Sequence, residues 1–331
     1  MFLVTLISGK SFKVAQGISI LDAGAQAQVS LPYSCKTGRC STCKCKVIHG
    51  ETIPLQTETG LTDAQKAEGW ILSCVRTSST DVLLEVDDLG DVVLSQPKTL
   101  PCRISQIEQL GPYVIRVYLR LPPATGFSFI PGQYIDVIGP GGIRRSYSLA
   151  NASFAANTLE LHIRSVDGGA MSDYWFNRAK VNDLLRLNGP LGTFFLRKTA
   201  NVDLVFLATG TGIAPVKAIL ESMAALSTER QPKSITVVWG GRTSEDLYFD
   251  VRGLSVELRF VPVLSRAGMD WAGAKGYVQQ ALLDMLPDLS NATVYACGSD
   301  AMIQSARALL TQAGLPSNYF YSDAFVCSAT D

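Results

Sequence analysis

The chain has 331 residues, of which 47% are hydrophobic and 18% charged; that is material for two or three packed domains and excludes a disordered protein. Lysine plus arginine and aspartate plus glutamate each total 29, so a net charge of zero removes the electrostatic footprint of a nucleic-acid or anionic-membrane binder. His49 and His162 are the only histidines, which leaves little for histidine metal sites or acid–base catalysis.

The opening run from Met1 to Ile7 has no basic region and no small-residue cleavage site, and no apolar stretch is long enough to span a bilayer. A cytoplasmic address is the expectation. Disulfides are disfavoured there, so eight cysteines point toward metal ligation.

The first domain is read as residues 1–93. Strands are expected over 2–7, 11–14, 44–49 and 82–86, with a helix over 20–27. Five cysteines cluster here, and Cys102, Cys297 and Cys327 are scattered. Cys35, Cys40 and Cys43 follow the spacing Cys-x4-Cys-x2-Cys, and 30 residues separate Cys43 from Cys74. This is the plant-type arrangement of four thiolates that holds a [2Fe–2S] cluster. Gly38 permits the tight turn, and loop amides can point at the sulfurs. A structural zinc site is the competing reading, but zinc favours two Cys-x-x-Cys knuckles and only one exists here. Cys45 is read as a buried small hydrophobe.

Residues 94–101 carry two prolines and read as a linker. In the middle domain, 102–198, apolar residues alternate at Ile115, Val117, Leu119 and Leu121, and again at Leu159, Leu161 and Ile163. Period two between Gly/Pro turns means an antiparallel barrel or sandwich. Arg145-Ser146-Tyr147-Ser148 offers a guanidinium for a diphosphate, an aromatic face and hydroxyls. Gly169, Met171 and Ser172 open a helical stretch that can receive phosphate. Gly189-Pro190-Leu191-Gly192-Thr193-Phe194 is a third cluster. Glu160, His162 and Arg164 share one strand face, on which His162 and Arg164 are read as lining a cofactor; for His162 a satisfied strand histidine is the alternative.

The last domain, 199–331, alternates strands (202–209, 234–239, 256–264, 293–297) with helices (214–226, 274–286, 301–312). That is a doubly wound parallel sheet. Gly210-Thr211-Gly212-Ile213-Ala214-Pro215 joins its first strand to its first helix. The third glycine of a dinucleotide fingerprint is absent, yet the turn leaves backbone free for a pyrophosphate. Cys297-Gly298, followed by Met302, marks a second strand-to-helix junction.

Taken together, these motifs resemble the ferredoxin–NADP reductase superfamily with a plant-type ferredoxin at the amino terminus. The resemblance implies a β-grasp ferredoxin domain, an antiparallel β-barrel for FAD and an α/β domain for NAD(P)H. It implies that Arg145, Ser146, Tyr147, Ser148, His162, Arg164, Gly169, Met171 and Ser172 hold FAD. Gly210, Thr211, Gly212, Ala214, Pro215, Cys297, Gly298 and Met302 then hold the nicotinamide dinucleotide. Ser148, Thr211 and Cys297 flank the reacting rings. Phe325 stacks on the flavin or is a core aromatic. Nicotinamide yields two electrons together and the cluster accepts one at a time, so the flavin stands between them. Runs such as Phe320-Tyr321-Ser322-Asp323-Ala324-Phe325 resemble the reductases of dideoxysugar synthesis. The loop Gly38-Arg39-Cys40-Ser41-Thr42-Cys43-Lys44-Cys45 resembles reductase components of ring-hydroxylating dioxygenases. The implied partner is an iron–sulfur sugar dehydrase, or an oxygenase or ferredoxin. A redox-sensing module without turnover is the reading from another class.

For the nicotinamide, Ser265-Arg266, Arg242 and Lys275 favour a 2′-phosphate, whereas Glu245 and Asp246 favour a ribose hydroxyl. NADH is expected, with NADPH accepted through Arg266.

Overall fold

A computed structural model describes residues 1–153, 157–254 and 256–325; Cys327 lies outside the described residues. The chain divides into two compact units, Met1–Leu94 and Ser95–Asp331.

The first unit contains β1 (Phe2–Leu6), β2 (Ser11–Val14), α1 (Ile20–Gln26), β3 (Lys44–His49), β4 (Thr52–Pro54), α2 (Asp63–Ala67), β5 (Trp70–Leu72), β6 (Arg76–Ser78) and β7 (Val82–Glu85). Its main sheet runs β2-β1-β7-β3-β5. Only β1 and β7 pair in parallel. Alternation decides the inner face: Val4 and Leu6, Phe12 and Val14, and Val82 and Leu84 are buried. Helix α1 covers that face with Ile20, Leu21 and Ala23, and its Ser19 cap accepts from the Asp22 amide at 3.0 Å. A helix across a mixed sheet is the β-grasp arrangement. The elements at 52–54, 63–67, 70–72 and 76–78 are too short to carry a periodic signal.

The second unit opens with a barrel: β8 (Lys98–Gly111), β9 (Val114–Arg120), β10 (Tyr134–Ile138), β11 (Arg144–Ser148), β12 (Thr158–Arg164), α3 (Ala170–Asp173) and β13 (Leu184–Leu191). The order is β11-β10-β13-β8-β9-β12, antiparallel throughout. A bridge between Leu149 and Leu161 joins the two edges. The stretch read as a linker is partly strand, since β8 begins at Lys98. Pro101 is accommodated because β8 has only β13 beside it there, so no second ladder is interrupted.

The parallel sheet follows, with β14 (Asp203–Thr209), α4 (Ile213–Met223), β15 (Ser234–Gly241), β16 (Arg259–Leu264), β17 (Ala274–Lys275), α5 (Val278–Met285), β18 (Ala292–Ser299), α6 (Asp300–Gln312) and β19 (Phe320–Phe325). The order β17-β16-β15-β14-β18-β19 puts the topological switch between β14 and β18. The helix expected from 274 starts only at Val278, because Gly276 at φ +103° breaks it and Ala274-Lys275 joins the sheet edge. Strand β19 was not anticipated; buried Ser322 and Asp323 hide its apolar pattern. Among the described residues no helix is long and apolar enough to cross a membrane.

Candidate functional site

Three of the clustered cysteines sit in the loop between α1 and β3, and Cys74 in the helical turn after β5. Gly38 has φ +74°, and a Cβ there would lie 2.7 Å from the Thr57 carbonyl oxygen, so the loop needs glycine at this point. The sulfurs assemble as two pairs. The Cys35 amide donates to Cys40 Sγ at 3.5 Å, and the Sγ atoms of Cys43 and Cys74 are 3.2 Å apart. Among the described residues no three His, Cys, Asp or Glu side chains converge on one ion position. A two-iron cluster takes two thiolates per iron, and two pairs can provide them. Within the first pair, the Cys35 thiol is drawn down to about 5 by the hydrogen bond from Cys40, helped by Thr37 and opposed by burial. In the second, Cys74 is lowered through its bond with Cys43. Their partners Cys40 and Cys43 are pushed up by the same bonds and by burial. Cys45 is buried in the hydrophobic core, and its thiol is pushed up to about 12 by desolvation.

On the barrel, β11 presents its motif with a two-residue alternation. Arg144 pairs with Asp136 at 3.6 Å, and the Ser146 hydroxyl donates to Asp136 at 2.6 Å. Arg145 is half-buried and bonds the Arg144 carbonyl at 2.8 Å; no carboxylate pairs with it among the described residues. Of the two arginines, Arg145 is therefore the one with charge to offer a diphosphate. Tyr147 is held rigidly: Trp175 Nε1 donates to its hydroxyl at 2.9 Å and the rings meet edge to face. Ser148 is buried at the strand end opposite Tyr134. Ser172 Oγ accepts from the Val166 amide at 2.9 Å, tying down the turn that carries Gly169. Met171 packs into the barrel core beside Gly139, so it can offer a cofactor only its backbone.

At the switch point the two glycine motifs of the parallel sheet meet. A Cβ on Gly212 would lie 2.2 Å from the Cys297 carbonyl oxygen, and the turn at Gly210–Gly212 packs directly on that strand end. Gly298 lies against Thr209 and Met302. Thr211 is half-buried at the turn, while Ala214 and Pro215 are buried in the first turn of α4. The Cys297 side chain is fully buried, with Sγ 4.0 Å from Asp323 Oδ2. Phe325 ends β19 beside Ser299 and is 37% exposed. Arg242 and Arg266 are exposed and adjacent, joined by a backbone hydrogen bond of 2.9 Å.

The face of β12 differs from expectation. His162 is buried; its Nε2 lies 2.9 Å from Glu160 Oε1 and its Nδ1 3.2 Å from the Tyr248 hydroxyl. Burial pulls its pKa down against the pull of Glu160, so it is a satisfied neutral histidine. Glu160 bonds Lys217 of α4 at 3.1 Å. Arg164 pairs with Asp246 at 2.8 Å. Glu160, His162 and Arg164 therefore line the seam between barrel and parallel sheet, and His162 and Arg164 are directed at protein partners. Asp246 is likewise withdrawn from the ribose role. It is buried and accepts from the Arg242 amide at 2.7 Å, leaving Glu245 as the exposed carboxylate of that turn. Sequence reasoning assigned nothing to Lys217, Tyr248 or Trp175; a lone lysine one turn into an apolar helix was the available signal.

A cavity of about 410 Å³ lined by Arg197, Lys198, Arg230 and Asn291 lies at the amino-terminal ends of β14 and β18. Dinucleotides bind at the opposite, carboxyl-terminal ends of such strands, so it is not this site.

A thiolate-paired cluster loop, a barrel with an unpaired arginine and a glycine turn at a switch point define an NAD(P)H-dependent iron–sulfur flavoprotein reductase. Three family descriptions match: a 2Fe-2S iron-sulfur cluster binding domain over residues 5–78, an oxidoreductase FAD-binding domain over 101–196 and an oxidoreductase NAD-binding domain over 206–308. The chain belongs to the ferredoxin–NADP reductase superfamily, in the branch with an amino-terminal plant-type ferredoxin domain. It is 41% identical over 314 residues, 94% of each chain, to the CDP-6-deoxy-L-threo-D-glycero-4-hexulose-3-dehydrase reductase of Yersinia pestis. It is 31% identical, over 93% of this chain and 94% of the other, to the reductase component of a Ralstonia naphthalene 1,2-dioxygenase/salicylate 5-hydroxylase system. Its structure is similar to that of an Amycolatopsis cytochrome P450 reductase, with a TM-score of 0.76, 29% identity, and 98% and 99% of the two chains covered.

Proposed function

We propose that the chain delivers electrons from NADH, one at a time, to an iron–sulfur sugar dehydrase, acting as a CDP-6-deoxy-Δ3,4-glucoseen reductase of dideoxysugar synthesis. The likeness to the Yersinia reductase, at 41% identity over nearly the whole chain, carries this reading of the partner. FAD, when bound, supplies the exchange between two-electron and one-electron transfer. The chain's own residues position it. Arg145 takes the diphosphate, Tyr147 gives a fixed aromatic face, and Ser148 offers a hydroxyl close to the reacting ring. The turn at Gly210–Gly212 receives the dinucleotide pyrophosphate, with Thr211 beside the nicotinamide. Phe325 covers the flavin until nicotinamide displaces it. Cys35, Cys40, Cys43 and Cys74 hold the cluster. Hydride transfer needs no side-chain acid or base, in keeping with the single, buried histidine of the barrel.

The nicotinamide is read as NADH, supported by exposed Glu245, with NADPH accepted through Arg266 and Arg242. A second reading, service to a ring-hydroxylating dioxygenase, is favoured by the Ralstonia relative.

The test is reconstitution. Under anaerobic conditions NADH should bleach both flavin and cluster absorbance, which a non-turnover module would not allow. The reduced protein should then support the sugar dehydrase reaction. Turnover with a dioxygenase oxygenase component and none with the dehydrase would replace the first reading with the second.

A further inference from the structure

Arg164 belongs to the barrel by sequence and to the parallel sheet by contact. Its Nη2 lies 2.8 Å from Asp246 Oδ1, with the two side chains 31% and 9% exposed. A Cβ on Gly210 would lie 3.5 Å from Arg164 Nη1, so the guanidinium also borders the glycine turn. That turn is tied to β15 as well, since Trp239 Nε1 donates to the Gly210 carbonyl at 3.0 Å. Asp246 in turn organises the segment after β15: it accepts from the Arg242 amide at 2.7 Å and the Thr243 amide at 3.4 Å. Burial raises its pKa, but the Arg242 amide and the Arg164 charge outweigh that and hold it ionised. One guanidinium thus reaches both loops that would receive the dinucleotide, from the domain that would hold the flavin.

We propose that Arg164 is a positioning residue for hydride transfer. Acting through Asp246, it fixes the turn 242–246 against the barrel and so sets the bound nicotinamide at its working distance from the flavin. This rests on the reductase reading above. The physical reason is that hydride transfer depends on near-contact of two rings held by different domains. An error of about an ångström there costs up to about a hundredfold in rate. An ion pair spanning the seam, close to both nucleotide loops, removes that freedom better than contacts in the distant core.

The test uses the full chain with its cofactors and compares Arg164→Ala, Asp246→Asn, the double variant and Arg164→Lys. An asparagine can still accept the Arg242 amide, so Asp246→Asn removes the ion pair and keeps the turn. FAD and iron contents should equal wild type. The limiting rate of anaerobic flavin bleaching by NADH should fall about tenfold or more in each single variant. The double variant should be no slower than the slower single, and Arg164→Lys should recover part of the rate. Without NADH, amide exchange of residues 242–246 should speed up about tenfold in Arg164→Ala while β14 is unchanged. Loss of FAD from Arg164→Ala would make it a flavin ligand and overturn the proposal. So would a silent Asp246→Asn beside a slow Arg164→Ala, multiplying losses in the double variant, or unchanged exchange. A wild type that NADH does not bleach would overturn the reductase reading itself, and the proposal with it.

Discussion

Replacing Lys217 with methionine should destabilise the second unit by about 3 kcal/mol. The ammonium donates to the Ala150 carbonyl at 2.9 Å, Glu160 Oε2 at 3.1 Å and Glu221 Oε1 at 2.6 Å. Lys217 and Glu160 side chains are 8% and 7% exposed, so solvent does little to screen the pair. Removing one member of such a pair costs about 3–5 kcal/mol, chiefly by leaving the other charge buried and uncompensated. Glu160 would keep His162 at 2.9 Å and Arg116 at 3.9 Å, which places the loss near the lower end. The second unit spans 331 − 94 = 237 residues; at about 2–4 °C per kcal/mol for that size, Tm should fall by roughly 6–12 °C. The effect should depend on pH. Burial raises the Glu160 pKa, but the His162 hydrogen bond and the Lys217 charge outweigh it and hold it below the usual carboxylate range. A depressed carboxylate contributes stability above its unfolded pKa and loses it as pH falls through the folded value. Without Lys217 one of the charges that lowers it is gone and the folded pKa rises. The deficit should therefore be largest near neutral pH and shrink on acidification toward about pH 5. Melting followed by release of flavin fluorescence, at about pH 7.5 and about pH 5, measures both. Glu160→Gln added to Lys217→Met should restore most of the loss. A Tm change under about 2 °C, or a deficit independent of pH, would refute the reasoning.

Three further outcomes follow from the site. Cys74→Ser should abolish the cluster, read as lost iron and visible absorbance, while NADH-to-ferricyanide activity persists, because that route needs only the flavin. Gly212→Ala should cost about 1–3 kcal/mol and raise KM for NADH, since its Cβ would meet the Cys297 carbonyl oxygen at 2.2 Å and the backbone must shift; thermal melts and steady-state kinetics check both. Arg266→Ala should lower kcat/KM for NADPH by about tenfold to a hundredfold, the worth of one charged hydrogen bond at about 1.5–3 kcal/mol, and leave NADH nearly untouched; an unchanged ratio of the two would remove Arg266 from the 2′-phosphate role.

Much of this protein was legible in the sequence because its signals are local. Cys35, Cys40 and Cys43 share one loop, and a sheet's alternation needs only neighbours along the strand. Gly210-Thr211-Gly212 reads as a turn because a strand pattern ends before it and a helix pattern begins after it. The pairing of Cys43 with Cys74 was open to inference because a known spacing links them. The face formed by Glu160, His162 and Arg164 was also visible, since every second residue of a strand points the same way. What covers that face was not. Lys217 is 57 residues from Glu160 in the chain, and Tyr248 is 86 from His162. Asp246 read as a ribose acceptor until the tertiary structure turned its carboxylate toward Arg164 and the Arg242 amide. Periodicity decides which side chains share a surface; the occupant of the facing surface is decided by how the barrel and the parallel sheet dock, through charges that meet only in the folded chain.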